Sequence, residues 1–262
     1  MLFSEIINSL SAYENGYRAS IPDDWLQGRS CFGGLQTALA VAAMRKVLPE
    51  APPLRCVQTT FLAPVPAGFV AIEARILRTG RSATHVEARL YDGDQLACLV
   101  IAVFGVARSS IVTIEHPLLM IEKSAEQSRE LPYVPGIAPA FIQHMRFRWA
   151  EGGFPFSGSA EAMTRVYVEV RNEPTITESH VIALADSIPT PALSLFNKPT
   201  PASSLTWMLE FLSDDLNTPT APWLMDAQVT AGHGGYLSQT ATLWSAERKA
   251  ICLSRQSVVV FG

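Results

Sequence analysis

The chain has 262 residues, enough for one large domain or two small ones. Hydrophobic residues make up 48% of the sequence and charged residues 17%, a balance that predicts a large buried core and excludes a disordered chain. The formal net charge of -4 gives no electrostatic reason to bind nucleic acid or an anionic membrane surface.

The sequence gives no indication of export or of insertion into a membrane. The N-terminal residues Met1–Glu5 lack the basic start and apolar stretch of a signal peptide. The longest apolar run, from Leu96 to Ala107, is shorter than the roughly 18 residues of a spanning helix and is interpreted as a buried strand. The four cysteines form no CxxC pair, so we expect reduced thiols in a cytoplasmic protein without stable membrane insertion.

The first half of the chain contains a small-residue helix. Gly33 and Gly34 open this helix, and Pro49 prevents its continuation beyond about Leu48. Because the helix is rich in alanine and carries no charge before Arg45, it has little polar surface and is expected to be enclosed.

A strand and a hairpin turn follow. Residues 84–91 alternate with period two, which is typical of an antiparallel strand with one face in water. The Asp92-Gly93 pair then predicts a hairpin turn, with Gly93 adopting a positive φ angle.

The regular pattern is lost between residues 107 and 158, where prolines and glycines are frequent. We interpret this stretch as a connector that lies over the surface and contains short helices or docks onto the sheet. It predicts an N-terminal unit over residues 1–107, a connector over 108–160 and a C-terminal unit over 161–262.

The second half repeats the order of the first. A strand near residues 165–170 precedes a helix capped by Thr177 and stopped by Pro189. Four further strands are predicted near residues 203–213, 224–231, 236–245 and 250–261. Because the strands must curl to enclose each helix, we predict an α+β fold of the tandem (double) hotdog type, with the two units joined edge to edge.

Each half contains several short motifs, and the order of these motifs is informative. In the first half they are Phe32-Gly33-Gly34, Phe61-Leu62-Ala63-Pro64 and Arg78-Thr79-Gly80-Arg81-Ser82. In the second half they are Leu184-Ala185-Asp186, Ser203-Ser204-Leu205-Thr206, Glu210-Phe211-Leu212 and Ser254-Arg255-Gln256. Each motif alone is weak, but their order resembles that of the acyl-CoA thioesterase II-like (TesB-like) double-hotdog family over nearly the whole chain apart from the connector.

The resemblance implies an acyl-CoA thioesterase of fatty acid metabolism with its site in the second unit. The implied catalytic residues are Asp186, Ser204 and Gln256, which gather around a water. The Thr usual in the family is Ser204 here, and the Asp-His pair that often follows it is replaced by Thr206 and Trp207. The hydroxyl is therefore Ser204 or Thr206, and Thr206 is also a candidate substrate-binding residue.

Thioester hydrolysis needs an activated water, a proton acceptor and donors for the oxyanion. Asp186 suits the role of base because its neighbours are apolar and burial raises a carboxyl pKa. From spacing alone, Asp186 is better interpreted as a surface or capping residue. On the same basis Gln256 is better interpreted as a solvent-facing amide, and Ser204 as a hydroxyl bonded to the backbone. Gly33 and Gly34 either admit substrate to the helix start or form a tight turn.

Two alternatives to the thioesterase remain open from the sequence. One is a non-catalytic acyl-CoA or fatty-acyl binding protein on the same fold, since fold alone does not fix function. The other is a hotdog hydratase or dehydratase, for which residues 215–219 (DLNTP) match the expected motif only loosely. In each case we expect no cofactor, no metal and a homo-oligomer, a dimer or a dimer of dimers. The sequence indicates neither the acyl chain length nor whether the acyl group is linked to CoA or to a carrier protein.

Overall fold

The computed structural model of the protein describes all 262 residues, which form three α-helices, one large sheet and two small two-stranded sheets. Helix α1 spans Phe3–Asn8, α2 spans Gly33–Val47 and α3 spans Glu178–Ala185. Three short 3₁₀ helices cover Asp23–Trp25, Ala140–His144 and Pro191–Leu195. The longest α-helix has 15 residues, and no helix combines the length and apolar character needed to cross a membrane.

The strands divide between the two halves of the chain. Those of the first half are β1 Ser11–Tyr13, β2 Gly16–Ile21, β3 Leu26–Gln27, β4 Ser30–Cys31, β5 Leu54–Phe61, β6 Gly68–Thr79, β7 Ala83–Asp92 and β8 Gln95–Gly105. Those of the second half are β9 Arg129–Leu131, β10 Met145–Gly152, β11 Met163–Val170, β12 Thr175–Ile176, β13 Ala202–Phe211, β14 Thr218–Pro219, β15 Trp223–His233, β16 Tyr236–Trp244 and β17 Ala250–Val260.

One antiparallel sheet of 13 strands joins the halves edge to edge. Its order is β1-β2-β6-β7-β8-β5-β13-β17-β16-β15-β11-β10-β9, so the halves meet where β5 pairs with β13. The pairing is centred on Gln58 opposite Met208. An approximate two-fold axis at this pair relates equal offsets along the two strands, and it makes Phe61 at the end of β5 equivalent to Phe211 at the end of β13.

The sheet encloses helices α2 and α3, which lie side by side and antiparallel. A Cβ atom built on Gly34, at the start of α2, would lie 3.0 Å from Cα of Ala183, near the end of α3. At the opposite ends, the guanidinium of Arg45 pairs with the carboxylate of Glu178. A single apolar core of 50 buried residues spans both halves, so the two helices share one interior.

The enclosed-helix prediction is therefore confirmed, and so is the tandem hotdog fold. Thr177 caps α3 as expected, with His180 completing the capping box. The hairpin turn also forms where the sequence places it, because β7 ends at Asp92, β8 begins at Gln95, and Gly93 has a φ angle of 56°.

The segment between the halves is more ordered than a connector. Strands β9 and β10 fall within it, and β10 pairs along its length with β11. Another part of the segment covers the outer face of the second half, where the Tyr167 hydroxyl donates to the carbonyl of Lys123 at 2.8 Å. Prolines flank strands β9 and β10 in the sequence, so these short strands were not predicted. The division at residues 107 and 160 stays a prediction.

Candidate functional site

Asp186 lies where the two central helices meet. It is the first residue after α3 and caps the helix, with its N–H donating to the carbonyl of Ala183 at 3.3 Å. The five preceding residues of the helix, from Val181 to Ala185, are all buried, whereas Asp186 itself keeps partial exposure. The carboxylate is thus at the helix end rather than within the helix.

Two hydrogen-bond donors face this carboxylate. The side-chain amide of Gln256 donates from Nε2 to Oδ1 of Asp186 at 2.6 Å, and the backbone N–H of Gly34 also interacts with the carboxylate. Both donors come from elements far apart in sequence, since Gln256 lies on β17 and Gly34 opens α2. The fold therefore brings Asp186, Gln256 and the glycine pair together.

Gly33 is required at its position for a steric reason. A Cβ atom added there would lie 2.7 Å from Oδ2 of Asp186 and 3.0 Å from the ring of Phe61. Any side chain at this position would displace the carboxylate or the ring. The glycine pair therefore opens the helix in close contact with Asp186, and its role towards a substrate stays a prediction.

The electrostatics of Asp186 differ from those of an ordinary surface carboxyl. Burial raises the pKa of Asp186 from 3.8 to about 7, because the ionised form loses hydration among apolar neighbours. The hydrogen bonds from Gln256 and from the Gly34 N–H act in the opposite direction and limit the rise in pKa. No Lys or Arg forms an ion pair with this carboxylate, so it can exchange a proton near neutral pH.

A further glutamine continues the hydrogen-bonded chain. Gln239, on β16, donates from Nε2 to Oε1 of Gln256 at 2.6 Å, and both side chains are buried. Sequence reasoning missed Gln239. A signal was present in the sequence of β16, whose inward positions are Leu237, Gln239, Ala241 and Leu243. A buried glutamine among apolar residues needs a hydrogen-bond partner, so its presence on that face indicates one.

Ser204 and Thr206 lie on opposite faces of β13. Ser204 pairs with Val258, which is buried, whereas Thr206 pairs with Ser257, which is exposed. A β-bulge at Leu205 causes the change, because the extra residue reverses the alternation of side chains. Ser204 therefore faces the same side as Gln256, and its hydroxyl makes no hydrogen bond within the protein.

This placement corrects the expectation for Thr206. It was a candidate for the substrate-binding residue and for the hydroxyl of the site, but its side chain is exposed on the outer face of the sheet. Period-two alternation predicts one face for residues 204 and 206, and only the bulge separates them.

The polar side chains of the site have apolar equivalents in the first half. The two-fold axis makes Trp207 equivalent to Val57. Gln256 pairs with Trp207 and Ala102 pairs with Val57, so Gln256 is equivalent to Ala102. By the same pairing, Gln239 corresponds to Val86. Helix α2 carries no carboxylate at all. The site is thus built once in the molecule, from the second half together with the start of α2.

Two enclosed helices under one curled antiparallel sheet define a protein of the tandem hotdog class. Residues 21–105 match the acyl-CoA thioesterase N-terminal domain, and residues 123–260 match the acyl-CoA thioesterase C-terminal domain. The chain therefore belongs to the acyl-CoA thioesterase family, and the resemblance drawn from its motifs is confirmed.

Solved structures share this fold along the whole chain. A protein of unknown function with a hotdog fold from Alicyclobacillus acidocaldarius has 20% identity and a TM-score of 0.88, and the match covers 99% of this chain and 98% of that one. A putative thioesterase II from Thermobifida fusca has 15% identity, a TM-score of 0.85 and coverage of 99% and 97%. The tesB protein of Mycobacterium avium subs paratuberculosis has 14% identity, a TM-score of 0.80 and coverage of 99% and 100%. No curated protein matches the sequence.

Proposed function

We propose that this protein hydrolyses the thioester bond of an acyl-CoA, with water as the nucleophile and Asp186 as the general base. The observation that carries the proposal is the state of Asp186, a residue that keeps partial exposure. Its carboxyl has no cationic partner, is held by the amide of Gln256 and has a pKa of about 7. A base works best when its pKa lies near the working pH. Membership of the acyl-CoA thioesterase family supports the same reaction.

In the proposed reaction, ionised Asp186 takes a proton from a water while the water oxygen attacks the thioester carbonyl carbon. The second N–H of the Gln256 amide and the hydroxyl of Ser204 hold the water. Collapse of the tetrahedral intermediate breaks the C–S bond, and protonated Asp186 returns its proton to the thiolate leaving group. The products are a carboxylic acid and free CoA thiol, and Asp186 is ionised again.

The start of α2 supplies stabilisation for the oxyanion. The N–H of Gly33 has no hydrogen-bond partner within the protein, as is usual for the first residue of a helix. It lies beside Asp186, and the partial positive charge of a 15-residue helix start favours a developing negative charge there.

The decisive experiment compares the wild type with Asp186→Asn in an assay of thiol release from acyl-CoAs of increasing chain length. We expect kcat to fall by about 100-fold to 10,000-fold, the range for loss of a general base, while the circular dichroism spectrum stays unchanged. Asp94→Asn, which changes an exposed aspartate on the β7–β8 turn, is the matched control and should retain full activity. Equal rates in wild type and Asp186→Asn would refute the role of Asp186.

The pH dependence of kcat provides a second measurement. Because only ionised Asp186 can accept a proton, kcat should fall about tenfold per pH unit below pH 7 and level off above it. A profile that stays flat down to about pH 5 would contradict the assignment of the base. Stabilisation of the protein by acyl-CoA without any thiol release would instead indicate a binding protein.

A further inference from the structure

A second glutamine lies behind the first, at the inner end of the hydrogen-bonded chain from Asp186. We propose that Gln239 is a positioning residue, which fixes the amide of Gln256 so that its nitrogen faces Asp186 and its oxygen faces away. The proposal rests on the proposed function for its effect on turnover. Its structural part concerns the orientation of one amide and is testable without turnover.

The direction of each hydrogen bond follows from the chemistry of the chain. An ionised carboxylate only accepts, so the Gln256 atom that contacts Asp186 at 2.6 Å is Nε2. The other end of this amide is then Oε1, which only accepts, so the Gln239 atom that contacts it at 2.6 Å is Nε2. Gln239 thus holds Oε1 of Gln256 on the far side from the carboxylate. Without that donor, the amide of Gln256 can turn and present its oxygen to Asp186.

The surroundings of Gln239 argue against a purely structural role. Its side-chain oxygen is buried without a hydrogen-bond partner, an arrangement that costs free energy in a protein interior. An apolar residue would avoid this cost, and the equivalent position in the first half, Val86, is apolar. The two inward-facing amides occur only in the half of the molecule that also carries the carboxylate, where Ala102 and Val86 are replaced by Gln256 and Gln239.

The test uses Gln239→Met, which keeps the length and volume of the side chain and removes the donor. We expect kcat at about pH 7 to fall roughly tenfold with KM unchanged within about twofold, because water activation is impaired while substrate binding is not. Gln228→Leu, an exposed glutamine on the outer face of the adjacent strand β15, is the control and should leave kcat unchanged. If Gln239→Met does not fold, as judged by circular dichroism, Gln239→Leu takes its place.

A double-mutant cycle distinguishes a positioning residue from an independent one. If Gln239 acts through Gln256, adding Gln239→Met to Gln256→Leu should lower kcat by no more than about twofold further. A further tenfold loss in the Gln256→Leu background would overturn the proposal, as would wild-type kcat in Gln239→Met alone.

A titration of the Asp186 carboxyl separates this proposal from the proposed function. Carbon-13 NMR of aspartate-labelled protein identifies the signal that disappears in Asp186→Asn, and its titration requires no turnover. A freed Gln256 amide favours the protonated carboxyl, so the midpoint in Gln239→Met should rise by about half a pH unit or more relative to the wild type. An unchanged midpoint would overturn the proposal even if the protein hydrolyses acyl-CoA. A raised midpoint would support it even if no thiol were released.

Discussion

Helices α2 and α3 are antiparallel, and a carboxylate lies at each end of the pair. The hydrogen-bond partners of these two carboxylates differ. At one end Asp186 faces the start of α2 and receives hydrogen bonds only from uncharged groups. At the other end Glu178, in the first turn of α3, accepts from the guanidinium of Arg45 at 3.0 and 2.5 Å. No cation faces Asp186, whereas the positive charge of Arg45 compensates the negative charge of Glu178.

Further contacts of Arg45 show how firmly that end is closed. The guanidinium also donates to the carbonyl of Pro52 at 2.6 Å and lies 4.4 Å from the centroid of the Phe104 ring. The two charged side chains at this end, Arg45 and Glu178, are thus both engaged in contacts within the protein. At the Asp186 end, by contrast, the N–H of Gly33 has no hydrogen-bond partner within the protein, and Asp186 keeps partial exposure. The two ends of the helix pair therefore differ, and the proposed chemistry belongs to the Asp186 end alone.

The largest expected difference between the two ends is in the contribution of Asp186 to the stability of the fold. A pKa of about 7 in the folded state against 3.8 in the unfolded state means that the folded protein binds this proton more tightly. The contribution of Asp186 to stability is therefore favourable below about pH 4, falls as the pH rises to about 7, and is constant above it. Asp186→Asn removes this loss.

We expect the free energy of unfolding of Asp186→Asn to exceed that of the wild type by about 2 to 4 kcal/mol at pH 8, with no difference near pH 4. Urea denaturation at a series of pH values measures both quantities. A variant that is less stable than the wild type at pH 8 would show that the ionised carboxylate stabilises the fold, contrary to the electrostatics of this end.

At the other end, the effect of removing the charged group should have the opposite sign. Arg45→Met keeps much of the apolar contact and removes the ion pair, so the free energy of unfolding should fall by about 1 to 2 kcal/mol. The value is modest because both side chains retain exposures of 24% and 22%. Turnover should stay within about twofold of the wild type. The exposed neighbour Lys46 provides the control, Lys46→Met, and a tenfold loss of turnover in Arg45→Met would show that this end contributes to the chemistry.

The difference between the two ends was predictable from the sequence only in part. Periodicity and proline positions predict both helices, most strands and the enclosure of α2, because these depend on local hydrophobic patterns. The position of Asp186 against Gly33 depends on two segments about 150 residues apart, and no local pattern contains that distance. The motif resemblance pointed to Asp186 and Gln256 but not to their hydrogen-bond partners, so Gln239 was missed although it interrupts an apolar face of β16.

The ion pair at the opposite end escaped sequence reasoning for the same reason. Arg45 and Glu178 each fit the charge preferences of a helix end and a helix start, which explains their presence without any pairing. Only the antiparallel packing of α2 and α3 brings them together. Bulges are equally invisible, since the single extra residue at Leu205 changes no local propensity and yet reverses the faces of the residues around it.

The bulge leads to the smallest predicted effect, which compares the two hydroxyls that flank Leu205. Ser204→Ala should lower kcat about fivefold, the magnitude of one hydrogen bond of about 1 kcal/mol to the reacting water. Ser204→Thr keeps the hydroxyl and should retain more than half of the activity, while Thr206→Val, on the outer face, should change nothing. Because all three substitutions fall on one strand, a general disturbance of β13 would affect them alike. A loss of turnover in Thr206→Val that equals or exceeds the loss in Ser204→Ala would mean that the inward face of β13 does not supply the hydroxyl, and the arrangement of the site around the bulge would have to be rejected.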